Sequence, residues 1–175
     1  MNGNGSSARL RRINPLEERF LEGMNAALAT AEEAEYEDVP ELFPTLFIVG
    51  VPRSGTTLLH QLVASYLDVG YVNNLIACFW RAPLHGIRLS RKLLPGPFQS
   101  NLHSYYGRTE GIQEPHEFGH FWAQALGYTD LAQLPPEHEG SVDWERLRKV
   151  LVNMAHAFNR PLAFRSFLLT WHLPR

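Results

Sequence analysis

Gly50-Val51-Pro52-Arg53-Ser54-Gly55-Thr56-Thr57 is a stretch whose residue types could hold a phosphate. Glycines bound it, a cation and three hydroxyls lie in it, and the apolar run Leu46-Phe47-Ile48-Val49 leads into it. In such a turn the backbone N–H groups converge on an anion, and the positive end of the following helix adds to the field. The spacing from Gly50 to Gly55 is that of the nucleotide-binding pattern G-x-x-x-x-G-K-[ST], except that Thr56 stands where the lysine belongs. A nucleoside triphosphatase or nucleotide kinase needs that lysine on its β- and γ-phosphates, which disfavours both. The nearby cation is Arg53, inside the loop.

A second constellation is His116-Glu117-Phe118-Gly119-His120, which matches H-E-x-x-H. On a helix this pattern puts two zinc-binding imidazoles on one face, with the glutamate as general base. Pro115 could start that helix. The extended form with a glycine and a third histidine is absent, so a further ligand would have to come from Glu137, Glu139 or Glu145. A zinc-dependent hydrolase built on His116, Glu117 and His120 is therefore the alternative function.

Pro52-Arg53-Ser54-Gly55-Thr56-Thr57, between a strand and a helix, resembles the 5′-phosphosulfate loop of sulfotransferases that use 3′-phosphoadenosine 5′-phosphosulfate. The resemblance implies that Arg53 contacts the phosphosulfate while Ser54, Gly55, Thr56 and Thr57 wrap the 5′-phosphate with amides and hydroxyls, with Pro52 also in the cofactor-binding loop. It implies sulfuryl transfer to a hydroxyl or amine of a small-molecule, carbohydrate or lipid acceptor, on a P-loop-like three-layer α/β fold with a short central parallel sheet. Such transfer needs a base within hydrogen-bond reach of the acceptor. Glu114, His116 and Glu117 are the candidates, in no fixed order. Tyrosylprotein sulfotransferases place a glutamate where this chain has Asn73 and Asn74, which cannot act as bases. In small-molecule sulfotransferases a lysine and a histidine follow the substrate region. The comparable run here is Phe164-Arg165-Ser166-Phe167, in which Arg165 could take over the lysine's contact with the migrating sulfuryl group.

The similarity runs from about Leu46 to the C-terminus. In the family, the arginine and serine that bind the donor's 3′-phosphate come after the region that ends here at Trp171-His172-Leu173-Pro174-Arg175. The expectation is a truncated, partial domain over residues 14–175, behind a flexible lead over residues 1–13. Its sheet would leave an unpaired edge that a second copy could cover. A non-catalytic remnant that acts through interaction alone is the remaining alternative.

The elements that must position these residues follow from pattern. Asn14 and Pro15 open a helix, with Glu17 at capping-box spacing and an apolar stripe of Leu16, Phe20, Met24, Leu28 and Ala31 for the core. The acidic run Glu32 to Asp38 ends it in solvent. Leu46 to Val49 reads as a central, doubly covered strand. The loop helix spans about Thr56 to Tyr66, with Leu58, Leu59, Leu62 and Val63 inward. Val69 to Val72 is a short strand, Leu75 to Leu94 holds helices interrupted near Pro83, and Leu93 to Tyr106 is a surface loop. Val142 to Phe158 is helical, and Leu162 to Arg165 a strand. Strands alternating with helices indicate an α/β fold with a parallel sheet.

Composition sets the limits. Apolar residues make up 45% and charged residues 19%, which suits a folded domain. A formal net charge of −2 gives no general attraction to nucleic acid or to an anionic membrane, so anion binding must be local. Cys78 is the single cysteine, which fits a reducing compartment and a small core residue. No run approaches the ~20 apolar residues of a membrane span. With no signal-peptide core in MNGNGSSARLRR, the expected location is the cytoplasm.

Overall fold

The computed structural model describes residues 14–128 and 142–172. The lead expected over residues 1–13 and the loop carrying Glu137 and Glu139 lie outside them. Asn14 caps α1 (Pro15–Glu33), its Oδ1 accepting the Leu16 N–H at 3.1 Å, with Pro15 at the first helical position.

The face that α1 buries is polar, contrary to the apolar stripe. Leu16 and Phe20 are exposed, while Asn25 and Glu32, seven residues apart on one face, are buried. Asn25 Nδ2 donates to Cys78 O at 2.8 Å, and its Oδ1 accepts the Arg81 N–H at 2.8 Å. Glu32 does not end in solvent. It accepts the Leu84 and His85 N–H groups at 2.7 and 3.3 Å, and so satisfies the start of α3 (Pro83–Leu93) from outside.

Three parallel strands, β1 (Thr45–Ile48), β2 (Gly70–Tyr71) and β5 (Leu162–Arg165), form a sheet in the order β1-β5-β2. On one face Ile48 and Ala163 meet Val63 of α2 (Thr56–Tyr66). On the other, Phe47 and Phe164 pack edge-on against Trp122 of α4 (Gly119–Ala125), and α5 (Trp144–Phe158) adds Leu147, Val150 and Met154 to the same core. The result is the expected P-loop-like three-layer α/β arrangement.

Position within the sheet differs from expectation. β5 is the middle strand with all four residues buried, whereas β1 is an edge and Phe47 remains 41% exposed. An unbroken apolar run fits an edge with two apolar faces as well as it fits a central strand. α2 keeps its expected bounds but turns His60, Gln61, Val63 and Ala64 inward, leaving Leu58 and Leu59 half-exposed. The segment expected as a plain loop ends in a hairpin, β3 (Ser104–Tyr105) with β4 (Arg108–Thr109). No helix among the described residues is long and apolar enough to cross a membrane.

Candidate active site

The loop between β1 and α2 is folded tightly. A Cβ on Gly50 would meet Ser54 Oγ at 2.8 Å and Thr56 Cγ2 at 3.0 Å, so a side chain there would make the loop's hydroxyl side chains shift. Gly55, at φ +84°, caps α2 with no side-chain hydrogen bond, which leaves the first-turn N–H groups of Thr56, Thr57 and Leu58 to the loop mouth. Arg53 adopts φ +71°, a left-handed conformation that costs a non-glycine residue about 1 kcal/mol. Its guanidinium carbon lies 5.6 Å from the centre of the Tyr106 ring.

The register of β1 with β5 sets Ile48 opposite Arg165, so Arg165 emerges level with the start of the loop. It is 8% exposed. Its Nη1 donates to Thr57 Oγ1 at 2.6 Å, and its Nη2 donates to Gly107 O at 3.1 Å and to Glu117 Oε2 at 2.9 Å. Burial pushes the guanidinium below its ordinary value, and the Glu117 charge opposes that shift. Glu117 is fixed from its other oxygen, which accepts the Phe167 N–H at 3.2 Å. Loop, strand end and the approach to α4 thus meet in one chain of contacts, Thr57 to Arg165 to Glu117.

The other two base candidates are arranged differently. Glu114 is 3% exposed, accepting from Gln61 Nε2 at 3.0 Å, Ser100 Oγ at 2.7 Å and the Asn101 N–H at 2.7 Å. Three donors around a sequestered carboxylate make a strut that ties α2 to the segment before β3, with no path for an acceptor. His116 is pushed down to about 4, chiefly by burial and then by the Arg165 charge, so its ring is neutral. Its Nδ1 accepts the Phe118 N–H at 2.8 Å, which assigns the proton to Nε2 and leaves no free lone pair.

The H-E-x-x-H stretch is not a helix face. Phe118 lies at φ +58° and α4 begins only at Gly119, so His116 and His120 do not stack one turn apart. His120 instead packs on the Trp80 ring, with centroids 4.9 Å apart. Among the described residues no three His, Cys, Asp or Glu side chains gather as a metal site. Asn73 is structural, donating to Ser90 Oγ at 2.8 Å and accepting the Ile76 N–H at 2.9 Å.

One participant went unnoticed in the sequence, and a second lay in the stretch read only as a surface loop with aromatics that could line a pocket. His60, buried behind Arg165, faces Ala163 O from Nε2 at 3.3 Å and is pushed down to about 4 by burial, with Arg165 adding to the shift. Its signal was the three-residue spacing from Thr57, which puts both on one side of α2. The other is Tyr106-Gly107, whose turn lacks the Asn-Gly pair that marks such hairpins.

A family model described as "Sulfotransferase family" matches residues 44–155, well over half of the chain, including the loop, the hairpin and Glu117. No curated protein and no solved structure matches.

Proposed function

Because the chain belongs to the sulfotransferase family, we propose that it carries a sulfuryl group from 3′-phosphoadenosine 5′-phosphosulfate to a hydroxyl or amine of a small-molecule, carbohydrate or lipid acceptor. The observation that supports this best is the Thr57–Arg165–Glu117 chain, where a phosphate-type loop, a cation and a carboxylate converge. They do so beyond the carboxyl ends of parallel strands, where open α/β sheets bind ligands.

The donor set suits a phosphosulfate. Pro52 and Gly55 shape the loop, the first-turn amides with Ser54, Thr56 and Thr57 offer donors, and Arg53 adds charge. When bound, the donor supplies the sulfuryl group and leaves as 3′-phosphoadenosine 5′-phosphate. Arg53 and the loop amides would balance the charge that grows on the leaving phosphate. Arg165 bridges the loop and the base, holding Glu117 at the loop mouth. Glu117 takes the acceptor's proton, since Glu114 is walled in and His116 has its lone pair engaged. The single cysteine, Cys78, supports a reducing compartment and so the cytoplasm as the place of action.

The test is transfer from labelled donor by Glu117→Gln. Turnover should fall about 10²- to 10⁴-fold with donor affinity nearly unchanged. Unaltered turnover would remove Glu117 from the chemistry.

A further inference from the structure

Tyr106 stands at the tip of the β3–β4 hairpin, where Tyr106-Gly107 alone joins Tyr105 to Arg108. The pair has φ +49° and +80°, the two successive positive values of a type I′ turn. Glycine suits the second position, but the first favours Asn, Asp or Gly, and a tyrosine there costs about 1 kcal/mol or more. Packing does not offset this cost, because Tyr106 is 73% exposed. Its ring meets the edge of Tyr105, with centroids 4.6 Å apart, and the Arg53 guanidinium, at 5.6 Å and within cation–π range. Arg53 and Tyr106 are thus both held in backbone that L-residues avoid.

The tip itself is fixed over the loop. Arg165 Nη2 donates to Gly107 O at 3.1 Å, and a Cβ on Gly107 would lie 3.4 Å from Arg165 Nη1 and 3.7 Å from Thr57 Oγ1. Behind the tip, Thr109 Oγ1 donates to Pro115 O at 2.8 Å, and the buried Glu114 carboxylate holds Ser100 and Asn101 ahead of β3. The ring is therefore presented from an anchored frame.

We propose that Tyr106 is a positioning residue of the anion site, a platform that holds the Arg53 guanidinium over the loop before a nucleotide phosphate or phosphosulfate arrives. A cation stacked on a ring face keeps its N–H edge free, so Arg53 can serve the ring and the anion together. Ordering the arginine in advance lowers the cost of binding. This rests on the sulfotransferase reading of the loop.

Calorimetric titration with 3′-phosphoadenosine 5′-phosphate, together with thermal unfolding, tests it on Tyr106→Asn and Tyr106→Phe, each alone and combined with Arg53→Ala. Asparagine suits the turn, so Tyr106→Asn should keep or raise the unfolding midpoint and yet weaken binding about two- to fivefold, the worth of an exposed cation–π contact. Tyr106→Phe should bind like the parent chain. Once Arg53 is alanine, Tyr106→Asn should change nothing further. Undiminished affinity in Tyr106→Asn, equal losses in both backgrounds, or a midpoint that falls with affinity would each overturn the platform. A parent chain that binds no nucleotide would instead overturn the sulfotransferase reading, and the platform with it.

Discussion

Glu114 and Glu117 are three residues apart, and their surroundings give them opposite work. Glu117 shares its carboxylate between Arg165 and one backbone N–H at the rim of the loop, whereas Glu114 spends both oxygens on three donors in the interior. The consequence is testable by amide substitution. Glu114→Gln turns an NH₂ toward groups that are themselves donors, and a buried donor left unpaired costs about 1–3 kcal/mol. Both midpoints should therefore drop, since Glu117→Gln takes the counter-charge from the buried Arg165, but only Glu117→Gln should lose turnover in the chain that stays folded. A Glu114→Gln chain that unfolds like the parent but has lost turnover would reverse the two roles. Arg165 shows the same dependence on surroundings: read as a contact for the sulfuryl group, it is also the tie between Thr57, Gly107 and Glu117.

At the scale of elements, what the sequence disclosed was local and what it hid was relational. The bounds of α2 and β5 were legible because an apolar run, a glycine turn and an uninterrupted helical stretch are encoded in neighbouring residues. The order of the sheet was not, since β5 inserts between β1 and β2 from far along the chain. Hydrophobic periodicity pointed α1 by Leu16 and Phe20, yet the helix docks through Asn25 and Glu32, whose partners at Cys78, Arg81, Leu84 and His85 no local pattern announces. The H-E-x-x-H match failed for a backbone reason, the left-handed Phe118 just before α4. For the site, the loop residues were legible as a group and the choice among Glu114, His116 and Glu117 was not, because burial and donor count decide it.

Taken as a whole, the molecule holds two neutral histidines, His60 buried and His116 half-buried, near one cation, and this ties its stability to pH. His60 and His116 fall from 6.5 to about 4 on folding, so between these values the unfolded chain binds more protons than the folded one. Stability is full above pH 6.5 and declines as pH falls toward 4, by about 1.4 kcal/mol per pH unit for each histidine. Denaturant unfolding at pH 7, 6 and 5 should show the decline, and His60→Gln should flatten it by about half; a profile level across that range would contradict the burial of these rings. In the layered α/β frame the ends of β1 and β5 converge on one glycine-bounded loop, and the chemistry of that loop decides which donor binds. The most direct measurement is a parallel titration of the purified chain with 3′-phosphoadenosine 5′-phosphate and with ATP. With Thr56 in place of the lysine and Arg53 inside the loop, saturable binding of the 3′-phosphorylated nucleotide in preference to ATP is the predicted result, and preference for ATP would contradict it.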